Sequence, residues 1–259
     1  MSNSDKIRSF DPSRGEFKPY GLACTLWEPK LMLKPDRHNE IEINYFTHES
    51  IQYLIHGTQI TIPKHSFTLF WGLVPHQIIG YSGIAPYFVC TIPLTLFLSW
   101  NLPAFFVDKV LKGEVVIEPA KENPSHDVSL LTNWVNDLSG NTSPEATLLE
   151  MHARILRLAS NLQEPKLHER MKIHSTEISK VEQIALFVAQ NYHRPITANQ
   201  IGEAVGLHPD YCNAIFKKAF GSTLGEYITQ ERIGHAQRLL ISTDKSVTDI
   251  LFECGFNSV

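Results

Sequence analysis

Near the carboxyl end, five positions recur at one fixed spacing. Thr197, Gln200, Ile201, Gly206 and Leu207 have counterparts in Ser246, Asp249, Ile250, Gly255 and Phe256, each 49 residues further on. Each copy opens with a hydroxyl residue followed three places later by Gln or Asp, the pattern of a helix start capped from both sides. Each closes on Gly and an apolar residue, the pattern of a helix that ends in a left-handed turn and returns the chain to a core. A short helical unit used twice in the same register leaves few folds open for this part of the chain.

In the first copy a second helix begins at Pro209, a residue suited to the first helical position because its missing N–H would have no partner there. Helical spacing predicts an inward stripe of Tyr211, Ile215, Phe216 and Phe220. Asp210, Asn213, Ala214 and Lys217 then fall on or beside the outward side. That is where a helix-turn-helix presents side chains to the DNA major groove, so these four, with the adjoining His208 and Lys218, are the candidate contacts to double-stranded DNA. Leu224 to Ile241 reads as one continuous helix with Tyr227, Ile228, Ile233, Ala236, Leu239 and Leu240 at helical spacing. It would hold the two units roughly one DNA turn, ~34 Å, apart.

The segments Ile201–Leu207, Phe216–Gly221, Tyr227-Ile228 through Arg232-Ile233, Ala236, Leu239-Leu240 and Ile250 through Gly255-Phe256 together resemble the AraC family of bacterial transcription regulators. The resemblance implies a DNA-binding domain of two helix-turn-helix units joined by a long helix. Departures are modest: Gly202 and Leu251 stand where the family usually has Ala, Leu224 where it has Pro, and His208 where a Ser-like cap is common. The family pattern runs on for some tens of residues beyond Gly255-Phe256, whereas this sequence stops at Val259, so the second unit is expected to be incomplete. From Ser179 onward there are seven basic residues against eight acidic ones, a formal charge of −1. Lys and Arg contacts to phosphate supply most non-specific affinity, so DNA binding by this form is expected to be weak.

The 259 residues suit two domains, and 43% hydrophobic content is ample for their cores. Met1 to Phe17 is polar and of mixed charge, unlike a secretory or transit segment. The most apolar stretch, Tyr87 to Trp100, is interrupted by Pro93 and falls short of the ~20 residues of a membrane span. No membrane association and a cytoplasmic location are therefore expected. Cys24, Cys90, Cys212 and Cys254 are scattered with no C-x-x-C spacing, which points to reduced, buried thiols rather than a zinc ribbon or disulfide framework.

From Gly21 to about Pro119 the pattern is strand-like. Ile41 to Phe46 alternates, Ile51 to Ile62 forms a hairpin turning at His56-Gly57-Thr58, and Phe67 to Leu73 is another β-rich run. Short strands in succession suggest a small barrel or sandwich. His38 four residues before Glu42, the bend at Pro63–Ser66, and Pro75-His76 resemble the cupin-like sensing domain at the front of many AraC-type regulators. Thr68–Trp71, Pro75–Gln77 and Leu96–Trp100 bring the likeness closest to regulators of sugar operons, which implies a sugar or glycoside effector. Such a ligand needs an apolar platform and a few hydrogen-bonding groups. Trp27 or Trp71 would supply the first, and His38, Glu42 and His76 the second. A metal-dependent cupin enzyme acting on a small sugar-like substrate competes with this reading, since Asp36-Arg37-His38, Glu42 and His76 occupy places where such enzymes hold a metal. A sensor needs no such centre, and no catalytic residue, metal or cofactor is expected.

Asp127–Leu138 and Pro144–Leu162 read as amphipathic helices, the second with Leu148, Met151, Ile155, Ala159 and Leu162 along one stripe. The resemblance implies that such a helix forms a homodimer. The expected fold is α+β: a cupin-like β-barrel domain over 18–120, a helical dimerisation segment over 121–163, a linker over 164–178, and an all-α double helix-turn-helix domain over 179–259. The implied function is a sugar-responsive transcription regulator, an activator of a carbohydrate-catabolism operon, with RNA polymerase as a further partner.

Overall fold

The computed structural model describes residues 7–15, 17–140, 144–162, 180–220 and 222–256. The expected linker, 164–178, lies outside them. The chain forms two compact units, the first holding the residues up to Pro93 and most of those from Asn101 through the helix ending at Asn161. The second holds Leu94–Trp100 and the helices from Lys180 onward.

The first unit is built on two sheets. Strands β1 (Ile7–Arg8), β2 (Ala23–Trp27), β3 (Glu40–Tyr45), β6 (Phe67–Trp71), β8 (Tyr87–Pro93) and β9 (Val116–Ile117) form one sheet in the order β1-β2-β8-β3-β6-β9. Strands β4 (Ile51–Ile55), β5 (Thr58–Ile62) and β7 (His76–Tyr81) form the other in the order β5-β4-β7. The β4–β5 hairpin turns on His56 and Gly57, both at positive φ (51° and 74°), as a tight two-residue hairpin requires. No continuous ladder joins the two sheets among the described residues; they face one another and meet through the single bridge between Asp36 and His76.

β3 is the central strand, and all six of its residues are buried. Its alternation does not separate core from solvent, because both faces are covered. Register decides what each face meets: Ile41 pairs with Trp71, Ile43 with Leu69 and Tyr45 with Phe67, whereas Glu42 pairs with Phe70 and Asn44 with Thr68. Directly paired residues share a face. Phe70 lies 6.2 Å, centroid to centroid, from Tyr53 of β4, so the Glu42/Phe70 face looks toward the second sheet. The Ile41/Trp71 face is covered by α3 (Ser125–Ser139) and α4 (Glu145–Asn161). There the Arg154 guanidinium sits 4.1 Å over the Phe67 ring, and Cys24 approaches the Leu131 carbonyl.

Two helices interrupt the stretch expected to be strand-like. Pro93 closes β8, and α1 (Leu94–Ser99) groups with the second unit, so the expected 18–120 domain is not continuous. α2 (Ala104–Leu111) buries Phe106 and Val110, four residues apart, a helical period that a search for alternation passes over. On α4 the stripe Met151, Ile155 and Ala159 is buried within the unit, which leaves Leu149 and Leu156 as its exposed apolar residues.

In the second unit α5 (Lys180–Asn191) precedes α6 (Ala198–Val205), α7 (Pro209–Phe220), α8 (Leu224–Ser242) and α9 (Val247–Glu253). The sequence repeat is a repeat of hydrogen bonds. Thr197 accepts from Gln200 N–H at 3.3 Å, and Ser246 accepts from Asp249 N–H at 3.2 Å. At the other end Leu207 N–H donates to Gly202 O and Phe256 N–H to Leu251 O, both at 2.9 Å, with Gly206 and Gly255 at φ 69° and 86°. Both corners are Schellman turns. Gly202 standing in place of Ala also has a reason, since a Cβ there would meet the Leu207 carbonyl oxygen at 2.5 Å. The expected stripe of α8 holds only in its first half: Leu224, Tyr227 and Ile228 are buried, while Ile233 and Leu240 are exposed.

Candidate functional site

The chain from Asp36 to Glu40 forms the corner at which the two sheets of the first unit meet. Asp36 exchanges backbone hydrogen bonds with His76 at the start of β7, and His38 N–H donates to Gly72 O just past β6. Gly72 in turn donates to Glu40 O. The His38 ring lies so close to Gly72 that a Cβ there would stand 2.2 Å from its Cε1, so only glycine admits the imidazole.

This corner brings together a buried polar cluster. His38 Nδ1 lies 3.0 Å from Glu40 Oε2 and its Nε2 2.8 Å from Glu42 Oε2. Glu42 also accepts from Asn44 Nδ2 at 2.7 Å, and Glu40 from the Gly21 N–H at 2.8 Å. His76 Nδ1–H donates to the Val74 carbonyl at 2.9 Å, which turns its Nε2 toward Glu42 Oε2 at 3.6 Å. Asp36 accepts from Arg14 and from the Tyr20 hydroxyl, each at 2.7 Å. Burial works against a charge on His38, but carboxylates at both ring nitrogens more than offset it and raise its pKa to about 9. Burial pushes the Glu42 carboxyl up, yet the facing His76 and the hydrogen bonds from His38 and Asn44 hold it down at about 2. His76 is itself lowered by burial, with Glu42 pulling the other way.

A cleft opens from this cluster between the sheets. Its walls include Phe10, Trp27, Met32, Tyr53, Ile78 and Tyr87; Glu42, His76, Asp36, Thr25 and Thr91 supply polar groups. Its empty space, counted out to the mouth, is about 550 Å³, of which about 30 Å³ admits the centre of a water molecule. Three of the five sequence candidates, Trp27, Glu42 and His76, therefore share one cleft. Trp27 is half-buried, with Nε1 donating to Thr25 Oγ1 at 2.8 Å. His38 stands behind Glu42 and positions it. Trp71 is not in the cleft: it is fully buried on the helix-covered face, one residue out of phase with Phe70, and its Nε1 donates to Asn39. Nothing in the local pattern marks Tyr20, Tyr53 or Tyr87, which come from three separate segments.

The second candidate surface is α7. Cys212 and Phe216 are fully buried, and Phe216 stacks on Phe220 at 4.2 Å and leans on Tyr227 at 4.9 Å. Asp210, Asn213, Ala214, Lys217 and Lys218 are exposed along one side, as expected. Tyr211 joins them at 57% exposure, contrary to its expected place in the inward stripe. His208 caps the helix in place of a hydroxyl, its Nδ1 accepting from Asp210 N–H at 3.4 Å. Asn213 is partly committed, because its Oδ1 accepts from Leu224 N–H at 3.1 Å, the first residue of α8. Bidentate pairing with N6 and N7 of an adenine would draw the same Oδ1 away from that bond.

Residues 201–259 match the family described as a helix-turn-helix domain. The whole chain is 29% identical over 266 residues to the melibiose operon regulatory protein of Escherichia coli strain K12, covering 87% of that protein. It is 22% identical over 151 residues to the lactose operon transcription activator of Staphylococcus xylosus, covering 57% of this chain and 52% of that one. Among solved structures, the AraC-like transcriptional activator CuxR superposes with a TM-score of 0.50 at 11% identity, covering 84% of this chain and 74% of that one, a likeness of fold. These matches, beside the α6–α7 pair whose closing corner recurs after α9, make the chain similar to the AraC-type helix-turn-helix transcription regulators.

Proposed function

We propose that the first unit binds a sugar or glycoside in the cleft between its sheets and that occupancy changes how the helix-turn-helix unit engages promoter DNA. The observation that carries this is the convergence of Trp27, a partly exposed ring on the wall, with the Glu42, His76, Thr25 and Thr91 polar groups lining the same cleft, the combination a carbohydrate's apolar and hydroxyl faces require. The names of the melibiose and lactose operon regulators support the same effector class. The cleft is narrow, so a ligand of monosaccharide size or larger must displace side chains to enter. That displacement gives the effector a differential interaction with two states, which any switch requires.

In this reading α7 enters the major groove with Asp210, Tyr211 and Ala214 nearest the bases and Lys217 and Lys218 on phosphate. The regulator acts as an activator that contacts RNA polymerase. It acts as a homodimer whose seam includes Leu149 and Leu156, one heptad apart on α4. A thermal-shift screen of the full chain against mono- and disaccharides tests the effector: a saccharide that binds raises the melting temperature, and the shift shrinks in Trp27→Ala. Absence of any shift at millimolar saccharide, with DNA binding indifferent to every sugar tried, overturns it.

A further inference from the structure

We propose that the corner cluster is a divalent transition-metal site, ligated by the Nε2 atoms of His38 and His76 and a Glu42 carboxylate oxygen, with Asp36 as a fourth ligand. This departs from the expectation of a metal-free sensor, and geometry is the reason. Asp36, His38 and His76 are all buried, and each offers a ligand atom within 4.8 Å of the others. Both imidazoles have their outer nitrogens tied to acceptors, His38 Nδ1 to Glu40 and His76 Nδ1 to the Val74 carbonyl. Outer partners of that kind fix ring orientation in metal sites. Both inner nitrogens converge on Glu42 Oε2, at 2.8 and 3.6 Å. Donors at ~2.0–2.2 Å from a tetrahedral ion lie ~3.4 Å apart, so the His76 side already has the spacing and the His38 side must open by about half an ångström. The ion takes the place of the Nε2 proton of His38, which leaves to solvent.

Charge and openness agree. Asp36, Glu40 and Glu42 bring three negative charges to this corner and Arg14 one positive charge. With both imidazoles neutral the remainder is −2, which a divalent cation balances. Among the described residues no hydrogen-bond donor reaches His76 Nε2, and His76 lines the cleft. An ion there would therefore keep a coordination position open to it. Two imidazoles with carboxylate favour zinc, cobalt or ferrous iron over magnesium or calcium.

The test is cobalt titration of the untagged full chain after chelator treatment and dialysis. One equivalent is expected to bind with the visible bands of a low-symmetry N/O site and to be displaced by zinc. His76→Ala abolishes the bands, and Glu40→Gln weakens binding about 10–100-fold by freeing the His38 ring. A second measurement needs no mutation: in imidazole ¹H–¹⁵N spectra, zinc should move the ring resonances of two of the twelve histidines with slow exchange. Absence of stoichiometric binding, an unchanged cobalt spectrum in His76→Ala, or zinc shifts confined to exposed histidines such as His208 overturns the assignment.

Discussion

Gly206 and Gly255 hold the same place in the two copies of the repeat, yet alanine should cost very different amounts at each. Both have left-handed backbone, so both substitutions carry the penalty of an L side chain in that region, about 1–2 kcal/mol. At Gly206 an added Cβ meets nothing within 4 Å, and the penalty ends there. At Gly255 the same atom would stand 2.6 Å from the Tyr192 carbonyl oxygen and 2.8 Å from the His193 carbonyl carbon, both backbone just past α5. That backbone is not free to retreat, because Arg232 on α8 donates to Tyr192 O at 2.7 Å and to Arg194 O at 3.0 Å. Overpacking adds about 1–3 kcal/mol, for a total of about 2–5 kcal/mol. A unit of this size loses roughly 4–8 °C of melting temperature per kcal/mol. Gly206→Ala should therefore lower the helical transition by roughly 4–16 °C, and Gly255→Ala by at least about twice as much. Circular-dichroism melting, with amide exchange on α5 and α9, measures both. Equal losses at the two glycines, or the milder loss at Gly255, would refute the packing of the second corner against the end of α5.

Arg154→Met removes the guanidinium that bridges the buried carboxylates of Glu118 and Asp127 and leaves them to share Lys121; urea unfolding of the β unit should show a loss approaching the about 3–5 kcal/mol of a broken buried pair, partly restored by adding Asp127→Asn. Arg154 and Lys121 hold the Asp127 carboxyl below its ordinary 3.8 despite its burial. Its contribution is thus complete above that value and is lost as pH falls through the lowered one, so acid unfolding in Asp127→Asn should be flatter below about pH 4. Trp71→Ala should cost about 3–5 kcal/mol as a core deletion, while Trp27→Ala leaves the melting temperature within a few degrees and weakens saccharide binding; the reverse order would reassign the two rings. Asn213→Ala should cost about 1 kcal/mol of stability through the lost acceptor for Leu224 N–H and leave the preferred promoter sequence unchanged in a randomised-site selection; an altered base at one position would return Asn213 to the readers.

The helical unit was legible because its information is local. Caps, left-handed glycines and the outward side of α7 are set by residues within four or five places of one another, and the structure reproduces them, except that Asp249 accepts from the Ser246 hydroxyl where Gln200 accepts from the Thr197 backbone N–H. The misses there are of a different kind. Tyr211, Ile233 and Leu240 are apolar side chains at helical spacing but are exposed, since periodicity names a candidate face and says nothing about whether another element covers it. α1 and α2 were hidden for the opposite reason: each is shorter than the window over which a period can be told from a run.

The cleft is legible only in part because its composition is decided by contacts remote in sequence. Trp71 and Phe70 differ by one step along β6, and nothing local says which of them faces Glu42. The register of β6 on β3 decides, and a slip of one residue would exchange them. The polar corner depends still more on distant partners. His38 holds its place because residue 72 lacks a side chain, and Asp36 meets His76 through backbone bonds spanning forty residues. Gly72→Ala would therefore disturb a site whose chemically active residues are all unchanged. Histidines and carboxylates can be counted from the chain, but whether they converge is set by a glycine that offers no chemistry of its own.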